Sequence, residues 1–198
     1  MNEQRLCQNV NALLDRLTYA NSSIHIFKSI LAVYDNQEQD LLLPDMNFWR
    51  VVCDNCCFRA LAELAKTYDE GKDSIGLQKL LNQAEQTRPE ESVRELVKAA
   101  RESYSSLHPL RDKLKILRDK GLAHSDKEYA SNLKLLVSEH GMPLEDIETL
   151  IRTAAEICSD ILVAFTGTGR SIELFLNDDA SGIIHDLRIA RGKSNDRY

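Results

Sequence analysis

Residues 118 to 129 read RDKGLAHSDKEY, and within them Arg118 and His124 stand with five residues between. A histidine titrates near neutral pH, so it can take a proton from a hydroxyl or give one to a leaving oxygen. A guanidinium offers a planar fork of donors that suits phosphoryl oxygens. Together the two suit cleavage of a phosphodiester, above all in RNA, where a 2′-hydroxyl lies beside each scissile phosphate. Spacing alone is weak support. Arg101 and His108 also stand close, with six residues between, but Glu102 follows that arginine and Pro109 that histidine. This second pair reads as accidental.

The segment before Arg118 sets how the pair is presented. Leu110, Leu114, Leu117 and Gly121 fall on one line at about 100° per residue, which predicts a helix with that line facing a core. Arg111, Lys115 and Arg118 share a second line about 90° away, so Arg118 is expected at the border of the buried face. Gly121 is the expected terminator, with Ser125 or Asp126 capping the next element. From Arg111 to Lys127 six bases face three acids, a local charge of +3, while the whole chain carries −6. The ordinary reading of such a run is a solvated helix face, and the functional one is a small site for a polyanion. The overall acidity excludes a protein that coats nucleic acid by bulk charge.

The remaining elements are expected to be helical. The 198-residue chain is 43% apolar and has only 8 Gly and 4 Pro, which points to one all-α domain. Helices are expected from Asn2 to Leu17 and, after a polar break at Asn21, Ser22 and Ser23, onward to Tyr34. Met46 to Tyr68 is apolar on most of its circumference, with Arg59, Glu63 and Lys66 marking a polar side. It is the expected central helix, with Trp49 packing in it. DEGKDS, residues 69 to 74, lacks the ligand spacing of a calcium loop and reads as a plain connection. Helices over Ile75 to Gln86 and Glu90 to Leu107 precede a break at His108-Pro109. A strongly patterned helix comes after EHGMPLED and runs to Phe165, with Ile147, Leu150, Ile151, Ala154, Ile157, Ile161 and Leu162 as its stripe. The glycines of TGTGR read as a helix cap, and a short helix over Ile183 to Ile189 precedes a polar tail.

Five cysteines without a secretion signal fit a reducing compartment, and the expected location is the cytoplasm. Cys53, Cys56 and Cys57 share a helical face, but no second Cys pair or histidine stands near to complete a metal site, so they read as packing residues. No stretch has the length and apolarity of a membrane span.

RDKGLAHSD resembles the Arg-x4-6-His signature of the HEPN superfamily, in which a polar residue, here Asp119, commonly follows the arginine. The run LAELAKTYDEGKDSIGLQKLL, residues 61 to 81, with KILRDKGLAHSD downstream, is similar to the abortive-infection AbiU-like branch. The likeness is clear over about residues 45 to 165, with 167 to 198 as a C-terminal extension of one domain. It implies an all-α HEPN bundle, up-and-down with extra flanking helices, that pairs as a homodimer and joins two motif copies at the interface. It also implies metal-independent cleavage of RNA, such as tRNA or mRNA, in toxin or phage defence, without cofactor or membrane and with a possible antitoxin protein as partner. In one branch of the superfamily a tyrosine two residues after the histidine is modified by a nucleotidyltransferase antitoxin. Here that position is Asp126 and the nearest tyrosine is Tyr129, so that regulation does not carry over.

On this reading His124 is the general acid or base and Arg118 stabilises the transition-state phosphate. Asp119 either orients one of them or is a solvent-facing acid. Arg111, Lys115, Lys120 and Lys127 are candidate RNA contacts, against the default of ordinary surface cations. The alternative is a non-catalytic HEPN module that binds RNA, a nucleotide or a partner protein through the same basic window. A helical scaffold in which the motif is only a helix end is a third possibility.

Overall fold

The computed structural model describes residues 2–71, 73–122, 141–172 and 179–192. Within them the chain is an all-α bundle of seven α-helices without a strand. In chain order these are α1 (Glu3–Asp35), α2 (Met46–Thr67), α3 (Leu77–Thr87), α4 (Glu91–Ser106), α5 (His108–Leu117), α6 (Leu144–Thr166) and α7 (Asp179–Ala190). A π-helical turn, Arg118–Leu122, continues α5.

The polar triplet Asn21, Ser22 and Ser23 does not break the first helix, which runs unbroken for 33 residues. The Ser22 and Ser23 hydroxyls donate to the carbonyls of Thr18 and Tyr19, one turn back, at 2.6 and 2.9 Å. With their polar groups satisfied inside the helix, both serines are buried without a cap being needed. α1 rather than α2 is therefore the centre of the bundle. Its Leu6, Val10, Leu13, Leu14 and Leu17 are wholly buried and pack with residues of α2, α3 and α6. Each such side chain contributes about 1.5–3 kcal/mol when taken from water.

The expectation that α2 is packed all round is corrected. Only Cys56, Ala60, Leu64, Ala65 and Thr67 of that helix are buried, on the side against α1. Phe48, Val51 and Phe58 are 61%, 57% and 53% exposed. An apolar residue type says that a surface needs covering, not which neighbour covers it. Trp49 does pack, beside Phe48 and against a second apolar cluster of Ile30, Val33, Leu41, Leu42 and Ile184. α7 closes that cluster, and its Arg188 donates to both carboxylate oxygens of Glu38. Arg191 adds bonds to the Leu41 carbonyl and to Asp45.

α6 carries the expected stripe, with Ile147, Leu150, Ile151, Ala154, Ile157, Ile161 and Leu162 all buried. It ends as its sequence indicates, on Gly167 in the left-handed region at φ 76°. The stretch after Leu117 differs from expectation, because Gly121 does not stop the helix. The backbone widens into the π-turn, whose longer hydrogen-bonded rings shift the residues after Arg118 relative to an α-helical register, while the Arg118 amide itself still donates to the Leu114 carbonyl.

None of the helices among the described residues is long and apolar enough to cross a membrane.

Candidate functional site

α5 and the start of the π-turn form one wall of a cleft of about 330 Å³, and the end of α2 with the turn after it forms the other. Leu114, Ala65 and Tyr68, all buried, form its base. Tyr68 is locked by donating its hydroxyl to the Leu150 carbonyl at 2.7 Å and by stacking on Tyr104, ring centres 6.0 Å apart. Burial raises the pKa of both phenols above the ordinary tyrosine range, so they act here as neutral donors.

Arg118 stands where the projection of α5 sets it, 32% exposed at the edge of the apolar face. Its Nε donates to Oδ1 of Asp119 at 2.7 Å, with Nη2 at the same distance from that oxygen. Its Nη1 donates to Oδ1 of Asp69 at 3.1 Å. The hydrogen bond to Asp119, then the charges of Asp119 and Asp69, outweigh burial and raise the guanidinium pKa further. Among the described residues the Nε and Nη1 hydrogen bonds and the Nη2 ion pair engage three of the five N–H donors of an arginine, and one each on Nη1 and Nη2 remains. Two N–H donors on one guanidinium suit the oxygens of a phosphate. Two carboxylates against one guanidinium also leave this corner of the cleft with a net negative charge.

Asp69 is not visible as a site residue in the sequence. It lies 49 positions from Arg118 in a turn that reads as a plain connection, and only the packing of α2 beside α5 brings it there. The turn is tightly built. Its Asp69 side chain accepts from the Gly71 amide, and the Ser74 hydroxyl donates to the carbonyls of Asp69 and Gly71. Gly76 passes so close that a Cβ there would lie 2.0 Å from the Asp69 carbonyl oxygen.

The neighbouring Glu70 plays the corresponding part for Arg111. Its Oε1 accepts from Arg111 Nη2 at 3.0 Å and from the Tyr104 hydroxyl at 2.8 Å. Arg111 also lies 3.8 Å over the Tyr104 ring and donates to the Tyr104 carbonyl. It lines the cleft with two of its donors and its ring-facing side already engaged within the fold. Lys115 lines the cleft too and is exposed, with no ion pair to the acids of the opposite wall. Lys120 sits on the π-turn and is half-buried, outside the cleft lining. His124, Lys127, Asp126 and Tyr129 lie outside the described residues.

The second arginine and histidine pair, Arg101 and His108, divides in an informative way. Arg101 turns to α3, donating to Asn82 and Glu85, and stands outside this cleft. His108 lines it, with Nδ1 2.9 Å from Oδ2 of Asp112.

The three thiols on α2 behave as packing groups. Burial pushes Cys57 up to about 11, and Cys53 and Cys56 are shifted in the same direction. Among the described residues no group of histidines, cysteines or acids has the arrangement of a metal site.

An all-α bundle with an arginine at the border of a polar cleft, opening the motif RDKGLAHSD, is consistent with a HEPN domain. The chain belongs to the AbiU2 family of HEPN proteins, whose match runs over residues 3–183 and so takes in α1 as well as the motif. Abortive infection is the setting of that family. No curated protein and no solved structure matches the chain.

Proposed function

We propose that this protein is a metal-independent endoribonuclease of abortive infection, with Arg118 and His124 at the reacting phosphate. The observation that supports it most is Arg118 itself, held in a cleft by Asp69 and Asp119 with two donors remaining. His124 takes the proton of a ribose 2′-hydroxyl, and the 2′-oxygen then forms a bond to phosphorus. The bond to the 5′-oxygen breaks, and that oxygen receives a proton from the acid. A 2′,3′-cyclic phosphate and a 5′-hydroxyl end result, with protons balanced. The transition state concentrates negative charge on the phosphoryl oxygens, and the two remaining N–H donors of Arg118 bind it more strongly than the ground state.

Pairing of two copies belongs to this reading, because one imidazole cannot be base and acid in the same step. The exposed Phe48, Val51 and Phe58, within about 80° of one another around α2, support it as an apolar surface without a cover in the single chain. Induced expression tests the reading in cells. Wild type should arrest growth and release RNA fragments with cyclic phosphate ends, and His124→Ala should do neither while accumulating to the same level. Arrest by both alike would remove His124 from the mechanism.

One observation favours a second reading. Arg118 is held in ion pairs by Asp69 and Asp119, as a guanidinium with a holding rather than a catalytic role would be. A non-catalytic HEPN module would bind RNA, a nucleotide or a partner protein here. Its binding would survive His124→Ala, fail in Arg118→Ala, and yield no RNA product.

A further inference from the structure

The cleft does not end at Arg118. His108 and Lys115 on α5 and Arg118 at its C-terminal cap line it at spacings of seven and three residues, which places them within about 80° of one another on the helix surface. At about 1.5 Å rise per residue they span about 15 Å. The acids of the cleft are engaged: Asp69 with Arg118, Glu70 with Arg111 and Tyr104, Asp112 with His108. Among the described residues, what remains for a ligand along this wall is the Lys115 ammonium, the two remaining N–H donors of Arg118 and the Nε2 of His108. Asp112 sets how that last group is presented. A carboxylate at 2.9 Å from Nδ1 favours a proton on that nitrogen and leaves Nε2 as the ring's other polar atom. His108 is 67% exposed, and among the described residues no hydrogen bond engages that nitrogen.

From this geometry we infer that His108, oriented by Asp112, is a second contact for the RNA strand, at a nucleotide remote from the one held by Arg118. This rests on the ribonucleic-acid reading above and extends it from one phosphate to a length of strand. A separation of about 15 Å is too great for His108 and Arg118 of one chain to act on a single phosphodiester. It matches about four nucleotides of a stacked strand at about 3.4 Å each, and fewer of an extended one. The partner atoms are those of the sugar–phosphate backbone. The imidazole accepts from a 2′-hydroxyl when neutral and donates to a phosphate oxygen when protonated. His108 is thus a binding residue that sets the minimum length of substrate.

The test measures equilibrium binding of RNA oligonucleotides of increasing length to the full chain carrying His124→Ala, which blocks turnover, with and without His108→Ala. The parent should gain affinity as the strand grows past a dinucleotide toward the span of the cleft. His108→Ala should lose about threefold to tenfold on the longer strands and nothing on the dinucleotide. Single 2′-deoxy substitutions along the strand then assign the contact. A penalty at one remote position that vanishes in His108→Ala identifies the 2′-hydroxyl, and a His108-dependent length effect without such a position identifies a phosphate. If the parent binds RNA and the length dependence is the same in His108→Ala, this inference is wrong while the reading of the site stands. If the parent binds no RNA of any length at low salt, both fall.

Discussion

Asparagine at position 69 separates two jobs that one carboxylate can do for Arg118. Asp69 Oδ1 accepts from Nη1 at 3.1 Å, and the amide oxygen of asparagine can accept the same bond without the charge. If the carboxylate competes with RNA for the guanidinium, removing its charge should strengthen binding. A phosphate seated on the remaining Arg118 donors would lie about 6 Å from that carboxylate, a repulsion of about 0.7 kcal/mol in bulk water and about 3 kcal/mol at an effective dielectric constant of about 20. Asp69 and Arg118 are 34% and 32% exposed, so the lower part of that range applies. About 1 kcal/mol corresponds to about a fivefold tighter complex. The lost ion pair should cost the fold less than about 1 kcal/mol, or a fall in Tm of about 2–4 °C at most. Fluorescence anisotropy with a short labelled RNA, at about 0.05 M and about 0.2 M salt, reads the effect directly. Asp69→Asn should bind more tightly than wild type at the lower salt, with the gain shrinking at the higher. Asp69→Ala should show a smaller gain, because it also frees Nη1 to wander. Weaker or unchanged binding by Asp69→Asn at low salt would refute the competition and make Asp69 purely a holder of the guanidinium.

Contacts around the cleft and the core set three further outcomes. Gly76→Ala puts a methyl group 2.0 Å from the Asp69 carbonyl oxygen, so the turn must shift at a cost of about 1–3 kcal/mol. It should lower Tm and also remove the salt dependence that distinguishes Asp69→Asn from wild type. Cys158 is wholly buried and its thiol is pushed by burial up to about 12, above the 9.0 of an ordinary thiol. A raised pKa in the folded state means that stability is fully present below about pH 9 and is lost as pH climbs toward 12, by about 1.4 kcal/mol per pH unit for this group. Urea titrations at pH 8 and pH 10 should therefore show a decline that is smaller in Cys158→Ala, although that variant is less stable at both. Cys57, pushed by burial up to about 11, should react with iodoacetamide at pH 8 about a hundredfold more slowly than a thiol in the unfolded chain.

The parts of the fold that are legible in the sequence are those governed by local periodicity. The stripe of α6 and the placing of Arg118 beside Leu114 and Leu117 both come from 100° per residue, and both stand in the structure. Gly167 is likewise readable as a cap, because only a glycine enters the left-handed region without cost. The errors come from information that is not local. Serines 22 and 23 look like a break until their hydroxyls find carbonyls one turn back, which an isolated count of polar residues does not weigh. α2 looks central until α1 proves long enough to occupy that place.

The candidate site shows the same division. Arg118 and Asp119 are adjacent in the chain, and their pairing is among the options the sequence offers. Asp69 and Glu70 are 49 and 41 positions from the arginines they hold, in a turn whose composition signals only a turn. His108 reads as accidental beside Arg101, although its seven-residue spacing to Lys115 and ten-residue spacing to Arg118 place all three on one side of α5 and its C-terminal cap. A search for cations and imidazoles at helical spacing ahead of the motif, rather than for pairs resembling it, would find it. The carboxylate turn has no such signal.

The most direct measurement is cleavage of total RNA and of tRNA by the purified protein in EDTA, run beside Arg118→Ala and His124→Ala with the melting of all three recorded. Wild type should cut RNA to cyclic phosphate ends, and each variant should lose at least about a hundredfold in rate with its fold intact. Cleavage by His124→Ala at the wild-type rate, or none by the wild type on any RNA, would contradict the assignment of this cleft as a ribonuclease site.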